Sequence, residues 1–158
     1  MLSDPHRTVV RRLGRDLADE DLAWALTGSA SFALQGVPVD PDDVDLQTTA
    51  RGASAVESLF SDAVVDPVSL RESDRLRSQF GALSLFGVRV ELMGDLQKRR
   101  PDGSWESPVD VTDHRRFETV DGVRVPVLSL EYEARAYERL GREERAALLR
   151  RYATADGE

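Results

Sequence analysis

Apolar and polar positions recur along this chain with two different periods. Near the start, Val9, Val10, Leu13 and Leu17 fall at helical spacing, which predicts a helix over 5–18 with Ser3 or Asp4 as its cap. "LAWALT", 22–27, is short and apolar and reads as a buried strand. Ser29 to Gln35 predicts a short helix closed by Gly36. Val44 to Thr48 reads as a strand, and 51–60 as a helix with an apolar stripe of Ala55, Val56, Leu59 and Phe60. "AVVDPVSL", 63–70, is a third extended segment, broken by Pro67.

Strand-like texture dominates the middle of the chain. "FGALSLFGVRVELMG", 80–94, predicts two strands joined near Phe86-Gly87. "LQKRRPDGSWES" carries a Pro-Asp-Gly turn and predicts a second, exposed hairpin. Asp121-Gly122 lies between alternating segments and is a strong short-turn signal. Residues 129–152 read as two helices broken near Gly141. This order of helices and strands predicts an α/β (α+β) class, with a mixed β-sheet flanked by helices. No repeat, low-complexity segment or linker divides the chain, and 158 residues suit one domain with a real core.

Composition narrows the functional classes. The net charge of −8 argues against unassisted binding to nucleic acid, which rests on neutralising phosphates with Lys and Arg. Lys98 is the only lysine, so nearly all cations are arginines. The absence of cysteine excludes disulfides and thiolate–metal chemistry. No apolar stretch approaches a membrane span, and the N-terminal residues show no apolar signal core, so a cytoplasmic protein with no membrane partner is expected. His6 and His114 are isolated and make no zinc site. No serine elbow, dinucleotide fingerprint or Walker loop is present.

The chemistry concentrates in "LTGSASFALQGVPVDPDDVDLQTT", 26–49. In a strand, Asp43 and Asp45 project to one side while Val44 and Leu46 face the other. "VRVELMG" repeats the pattern, with Arg89, Glu91 and Met93 on one face. If the two strands are neighbours, Glu91 joins the aspartates. At about 4 Å and an effective dielectric near 20, each pair of like charges costs on the order of 4 kcal/mol. Protonation, arginines or a divalent cation must compensate, and hard oxygen ligands on a rigid sheet suit Mg²⁺. Two such ions can clamp the attacking and leaving oxygens of a phosphoryl displacement. Gly28-Ser29 fits the same chemistry, because glycine admits a phosphate close to the backbone and the helix that follows opens with free N–H groups. Taken singly, Ser29 reads as an N-cap, Asp-x-Asp as a solvated strand end and Glu91 as a solvated strand residue. Only the joint pattern is specific.

That joint pattern resembles the nucleotidyltransferase superfamily that includes polymerase beta, in a compact, stand-alone prokaryotic type. The matching positions are Gly28, Ser29, Asp43, Asp45 and Glu91. Further similarity runs through "VELMGDLQKRRPDGSWE" and "VPVLSLEYEARAYERLGR" and covers most of 20–150. One departure is Asp42, where the superfamily often has an apolar residue; Val44 and Leu46 favour Asp43 and Asp45 as the pair. The resemblance implies that 1–158 form a single nucleotidyltransferase-like domain with C-terminal helices. It implies that Asp43 and Asp45 hold the metals, two Mg²⁺ ions with Mn²⁺ as a substitute. Glu91 would help hold the first metal and deprotonate the acceptor, and Gly28 and Ser29 would hold the phosphates.

Superfamily members often place a basic residue on a helix after the third acid, to meet the phosphates. Arg135 is the candidate by position, with Arg139 and Arg142 as rivals. Arg71, Arg75 and Arg77 offer further cations, and Lys98, Arg99 and Arg100 read as a solvated turn. Tyr132 and Tyr137 can stack on a base or sit at the edge of the core; Trp24 reads as packing and Trp105 as partly exposed. The expected function is transfer of a nucleoside monophosphate from a nucleoside triphosphate, with ATP the first candidate, to an acceptor hydroxyl with release of pyrophosphate. The alternative is a non-catalytic nucleotide-binding or partner-binding module, such as a toxin–antitoxin component. A small acceptor is expected, or one shaped by a homodimer or a partner protein.

Overall fold

Residues 2–156 are described by the structure, a computed structural model. Helix α1 spans Asp4–Ala18, and its N-cap is Ser3, whose side chain accepts from the His6 N–H. The chain then forms β1 (Trp24–Thr27), α2 (Gly28–Leu34), β2 (Val44–Thr48) and α3 (Ala50–Leu59). Strands β3 (Val64–Glu72), β4 (Leu76–Leu85) and β5 (Val88–Lys98) follow, then β6 (Arg115–Val120), β7 (Val123–Leu128), α4 (Leu130–Arg139) and α5 (Glu143–Asp156). The strands form one sheet in the order β3-β4-β5-β2-β1-β7-β6. Pairs β2–β5 and β1–β7 are parallel and the others antiparallel, so the sheet is mixed, as expected.

One face of the central strands is apolar and carries the main core. Leu26, Val44, Leu46, Val90 and Leu92 pack there with Val9, Val10, Leu13 and Leu17 of α1 and Val56 of α3. Burying a side chain of this size contributes about 1.5–3 kcal/mol. A one-residue slip of β2 would forfeit that at Val44 and Leu46 and drive Asp45 into the core, so the register is fixed. The opposite face is left with Asp45, Gln47, Glu91 and Met93. At its far side, α4 and α5 pack on α2 through Leu130, Ala134, Ala146 and Leu149 against Phe32 and Val37. No helix among the described residues is long and apolar enough to cross a membrane.

Several expectations need correction. Helix α2 begins at Gly28 with Thr27 as N-cap, so Ser29 lies in the first turn rather than at the cap. Pro67 does not break β3; the strand runs through it, with one register shift between Val64 and Asp66 and a second, between Asp66 and Ser69, that spans the proline. The reason is position, since β3 is an edge strand and an edge tolerates a missing donor. Leu59 is 46% exposed, because α3 buries Gly52, Ala53 and Val56 instead. The second hairpin does form, in a short version: Arg99 bridges Trp105, and the Arg100 and Glu106 N–H groups donate to the Ser104 and Lys98 carbonyls.

Candidate active site

Strands β2 and β5 are adjacent and parallel, with Asp45 opposite Glu91. Asp43 lies one residue ahead of β2 and faces the same way. Asp43, Asp45 and Glu91 each offer an oxygen, and these oxygens lie within 4.8 Å of one another. Among the described residues, this is the group of acidic side chains close enough to hold a cation. The preceding loop is tied to α1, since His6 Nε2 donates to the Asp42 carbonyl at 2.8 Å. Asp42 itself points to solvent and stays outside the group.

The cluster is under electrostatic load. Burial, then Glu91 and Asp43, push the Asp45 carboxyl up to about 7. Asp43 is also raised, by burial first and then by Glu91. Glu91 is partly compensated, because Arg89 Nε donates to it at 2.8 Å. Asp45 Oδ1 is shielded from solvent and accepts no hydrogen bond among the described residues. A carboxylate with one buried oxygen lacking a donor, grouped with two further carboxylates, fits a hard divalent cation. Gly28 presses on the same carboxylate. A Cβ at this residue would stand 2.4 Å from Asp45 Oδ2, and its φ of +73° suits only glycine without strain.

A cleft of about 210 Å³ opens beside the cluster, between the exposed sheet face and α4. Gly28 and Asp45 stand in its wall together with Gln47, Met93, Lys98 and Tyr137. A larger depression, about 590 Å³, lies at the α4–α5 turn and holds no acid of the cluster.

Two charged residues of this cleft differ from the sequence reading, which leaves Glu133 out and places Lys98 in a solvated turn. Glu133 is buried, and its Oε2 accepts from Thr27 Oγ1 at 2.7 Å and from the Gly28 N–H at 3.2 Å. Burial pushes it up to about 7 against the pull of those two donors. The signal was a glutamate on the apolar stripe of α4, at the spacing Leu130, Glu133, Ala134, Tyr137. Lys98 is no part of a solvated turn: it is only 8% exposed and donates to the Tyr132 hydroxyl at 3.2 Å. Burial, then Arg139, lower its pKa, and Glu133 opposes them. Tyr132 in turn stacks on His114, with centroids 4.1 Å apart.

The structure gathers Gly28, Asp43, Asp45 and Glu91, with Ser29 half-buried in the next turn of chain. It does not bring Arg135 to the cleft. That side chain is exposed on α4 and pairs with Glu131 at 3.3 Å; Arg142, its rival, lines the cleft. Trp24 is core, and Trp105 is half-buried between Arg77 and Arg99.

Residues 9–153 match the family model of the aminoglycoside-2''-adenylyltransferases. The chain belongs to that family. It therefore belongs to the nucleotidyltransferase superfamily, in agreement with its strand order and acid cluster. A solved Thermotoga maritima protein assigned as a nucleotidyltransferase is 44% identical, over 98% of this chain and 96% of that one, with a TM-score of 0.87. A lincosamide antibiotic adenylyltransferase, LnuA, shares the fold at 10% identity and a TM-score of 0.57, covering 94% of this chain and 97% of that one. Among curated proteins, a 3-phosphoshikimate 1-carboxyvinyltransferase of Nostoc punctiforme is 28% identical over 123 residues, 75% of this chain. The chain spans 28% of that relative's length, so the likeness is to one segment of a longer protein.

Proposed function

We propose that the protein transfers a nucleoside monophosphate from a nucleoside triphosphate to a hydroxyl of a small acceptor. The acceptor oxygen bonds to the α-phosphorus, the bond from that phosphorus to the bridging oxygen breaks, and pyrophosphate leaves. The acceptor proton passes to Glu91 or Asp43, whichever stands nearer the attacking oxygen. Asp43, Asp45 and Glu91 would hold divalent cations, Mg²⁺ or Mn²⁺, which when bound neutralise the triphosphate and the charge developing on the transferred group. Gly28 leaves room for phosphate beside Asp45, and the Ser29 hydroxyl adds a donor. The Gly28 N–H is already engaged by Glu133. Arg142 supplies a cation to the phosphates in place of Arg135.

The observation that carries this reading is Asp45, whose buried Oδ1 has no donor and whose neighbours are two more carboxylates. ATP is the nucleotide to test first, and aminoglycosides are the acceptors the family suggests. The test is thermal unfolding with each ribonucleoside triphosphate, with and without Mg²⁺, beside Asp45→Asn. Ligand at 100 times its Kd adds about 2.7 kcal/mol, and each kcal/mol raises Tm by roughly 2–4 °C at this size. A Mg²⁺-dependent rise lost in Asp45→Asn is the expected result, followed by pyrophosphate release when the acceptor is added. No rise under any condition would defeat the reading. A rise without turnover on any acceptor would favour a nucleotide-binding module.

A further inference from the structure

The cleft beside the acids contains a polar group that transfer chemistry leaves unused. Gln47 follows Asp45 by two residues on β2 and shares its face, about 6.6 Å further along the strand. Its side chain lines the cleft, and the residue is only 5% exposed. Gln47 Oε1 is shielded from solvent and accepts no hydrogen bond among the described residues. Leaving a buried acceptor unmatched costs about 1–3 kcal/mol, so a ligand that supplies the donor recovers that free energy.

We infer that Gln47 is a specificity-determining residue, which reads the base of the nucleotide through its carboxamide while the triphosphate lies over Gly28 and Asp45. This rests on the nucleotidyl-transfer reading above. The size of the cleft decides between base and acceptor. At about 210 Å³ it is smaller than the roughly 300–1,000 Å³ typical of sites for drug-sized ligands, and it suits one planar ring system rather than a multi-ring amino sugar. Charge points the same way. Apart from Asp45, which the bound cation would engage, the cleft presents Lys98 and Arg142, and its buried Glu133 is engaged by Thr27 and Gly28, a poor lining for a polycation. The remaining walls include Leu76, Met93, Leu96 and Leu140, apolar surfaces against which a flat ring packs. A carboxamide answers a base edge that carries a donor beside an acceptor with two hydrogen bonds, and the bases differ in which ring positions carry that pair, so a carboxamide fixed on β2 selects among them.

The test measures binding of the four nucleoside triphosphates and of inorganic tripolyphosphate, all with Mg²⁺, to the full-length protein and to Gln47→Leu. Tripolyphosphate reports the acids and Gly28 without a base. The wild type is expected to prefer one nucleotide, and Gln47→Leu to bind it about tenfold more weakly, equivalent to about 1.4 kcal/mol, with tripolyphosphate affinity unchanged. Unliganded Gln47→Leu should be at least as stable as wild type, because an unmatched buried acceptor is removed; a structural glutamine would instead lower Tm. Gln47→Met serves as the second variant if leucine disturbs folding. Two results overturn the inference: no preference among nucleotides, or equal losses for nucleotide and tripolyphosphate. If wild type binds neither nucleotide nor tripolyphosphate, the transfer reading fails and the inference falls with it. Nucleotide binding that is insensitive to Gln47 defeats this inference alone.

Discussion

Asp45 is held where a carboxylate is hard to ionise, between a glycine backbone and two other acids, and this gives the free protein a pH dependence. Its pKa rises from the ordinary carboxylate range to about 7 on folding. The folded state therefore keeps a proton that the unfolded state has lost, and the stability this provides is full below about pH 4. It declines as pH rises to about 7 and changes no further above that, a total of about 4 kcal/mol. Asp45→Asn lacks this titration. Without metal, urea unfolding at pH 5 and pH 8 should show the variant gaining on wild type as pH rises. Added Mg²⁺ at pH 8 should stabilise wild type and leave the variant unchanged. An equal stability difference at both pH values would remove Asp45 as the strained group. At this scale the Asp43/Asp45 pair was legible, because strand alternation fixes its geometry. Glu133 was not, since its importance comes from Thr27 and Gly28, which are remote in sequence.

Strand β5 shows why the rest of the cleft was hidden. Its register against β4 shifts between Arg77 and Gln79, and Asp95 has φ +51°. That is a bulge, with one extra residue on β5. Strict alternation would put Leu96 and Lys98 with Val90 and Leu92, against the helices. The bulge flips the parity, so both residues line the cleft beside Met93. A period-2 reading cannot carry across such an insertion, and the predicted strand stopped at 94. Gly94, just ahead of the bulge, is where α3 meets the strand most closely. A Cβ there would lie 2.7 Å from the Thr49 carbonyl oxygen and 3.0 Å from the Ala50 Cα. Both neighbours are backbone and cannot rotate away, so α3 must shift. Gly94→Ala is expected to cost about 1–3 kcal/mol, the range for overpacking, as read by urea unfolding. A neutral result would show that α3 rests on β5 more loosely than these distances require.

Across the whole molecule, the site depends on two packing units that share α2. Ala30 belongs to the core under the sheet, whereas Phe32 packs with α4 and α5. Seven residues of helix thus join the sheet that carries the acids to the helical pair, whose α4 carries Glu133 and Tyr137 and whose connecting turn carries Arg142 near the cleft. The helix–strand order and the mixed sheet were readable from periodicity alone. The docking of α4–α5 on α2 was not, because an apolar stripe names the face of a helix but not its partner. If α2 couples the two units, they unfold together. Leu149 is fully buried among Phe32, Val37, Leu130 and Ala134, so Leu149→Ala should cost about 2–5 kcal/mol. That loss should shift one transition. Tryptophan fluorescence, which reports Trp24 in β1 and Trp105 bridged to Arg99, and far-ultraviolet circular dichroism, which follows the helices, should keep a common midpoint. Circular dichroism falling ahead of fluorescence would mean that the helical pair melts alone, and that α2 links the cleft walls too weakly to hold them in one geometry.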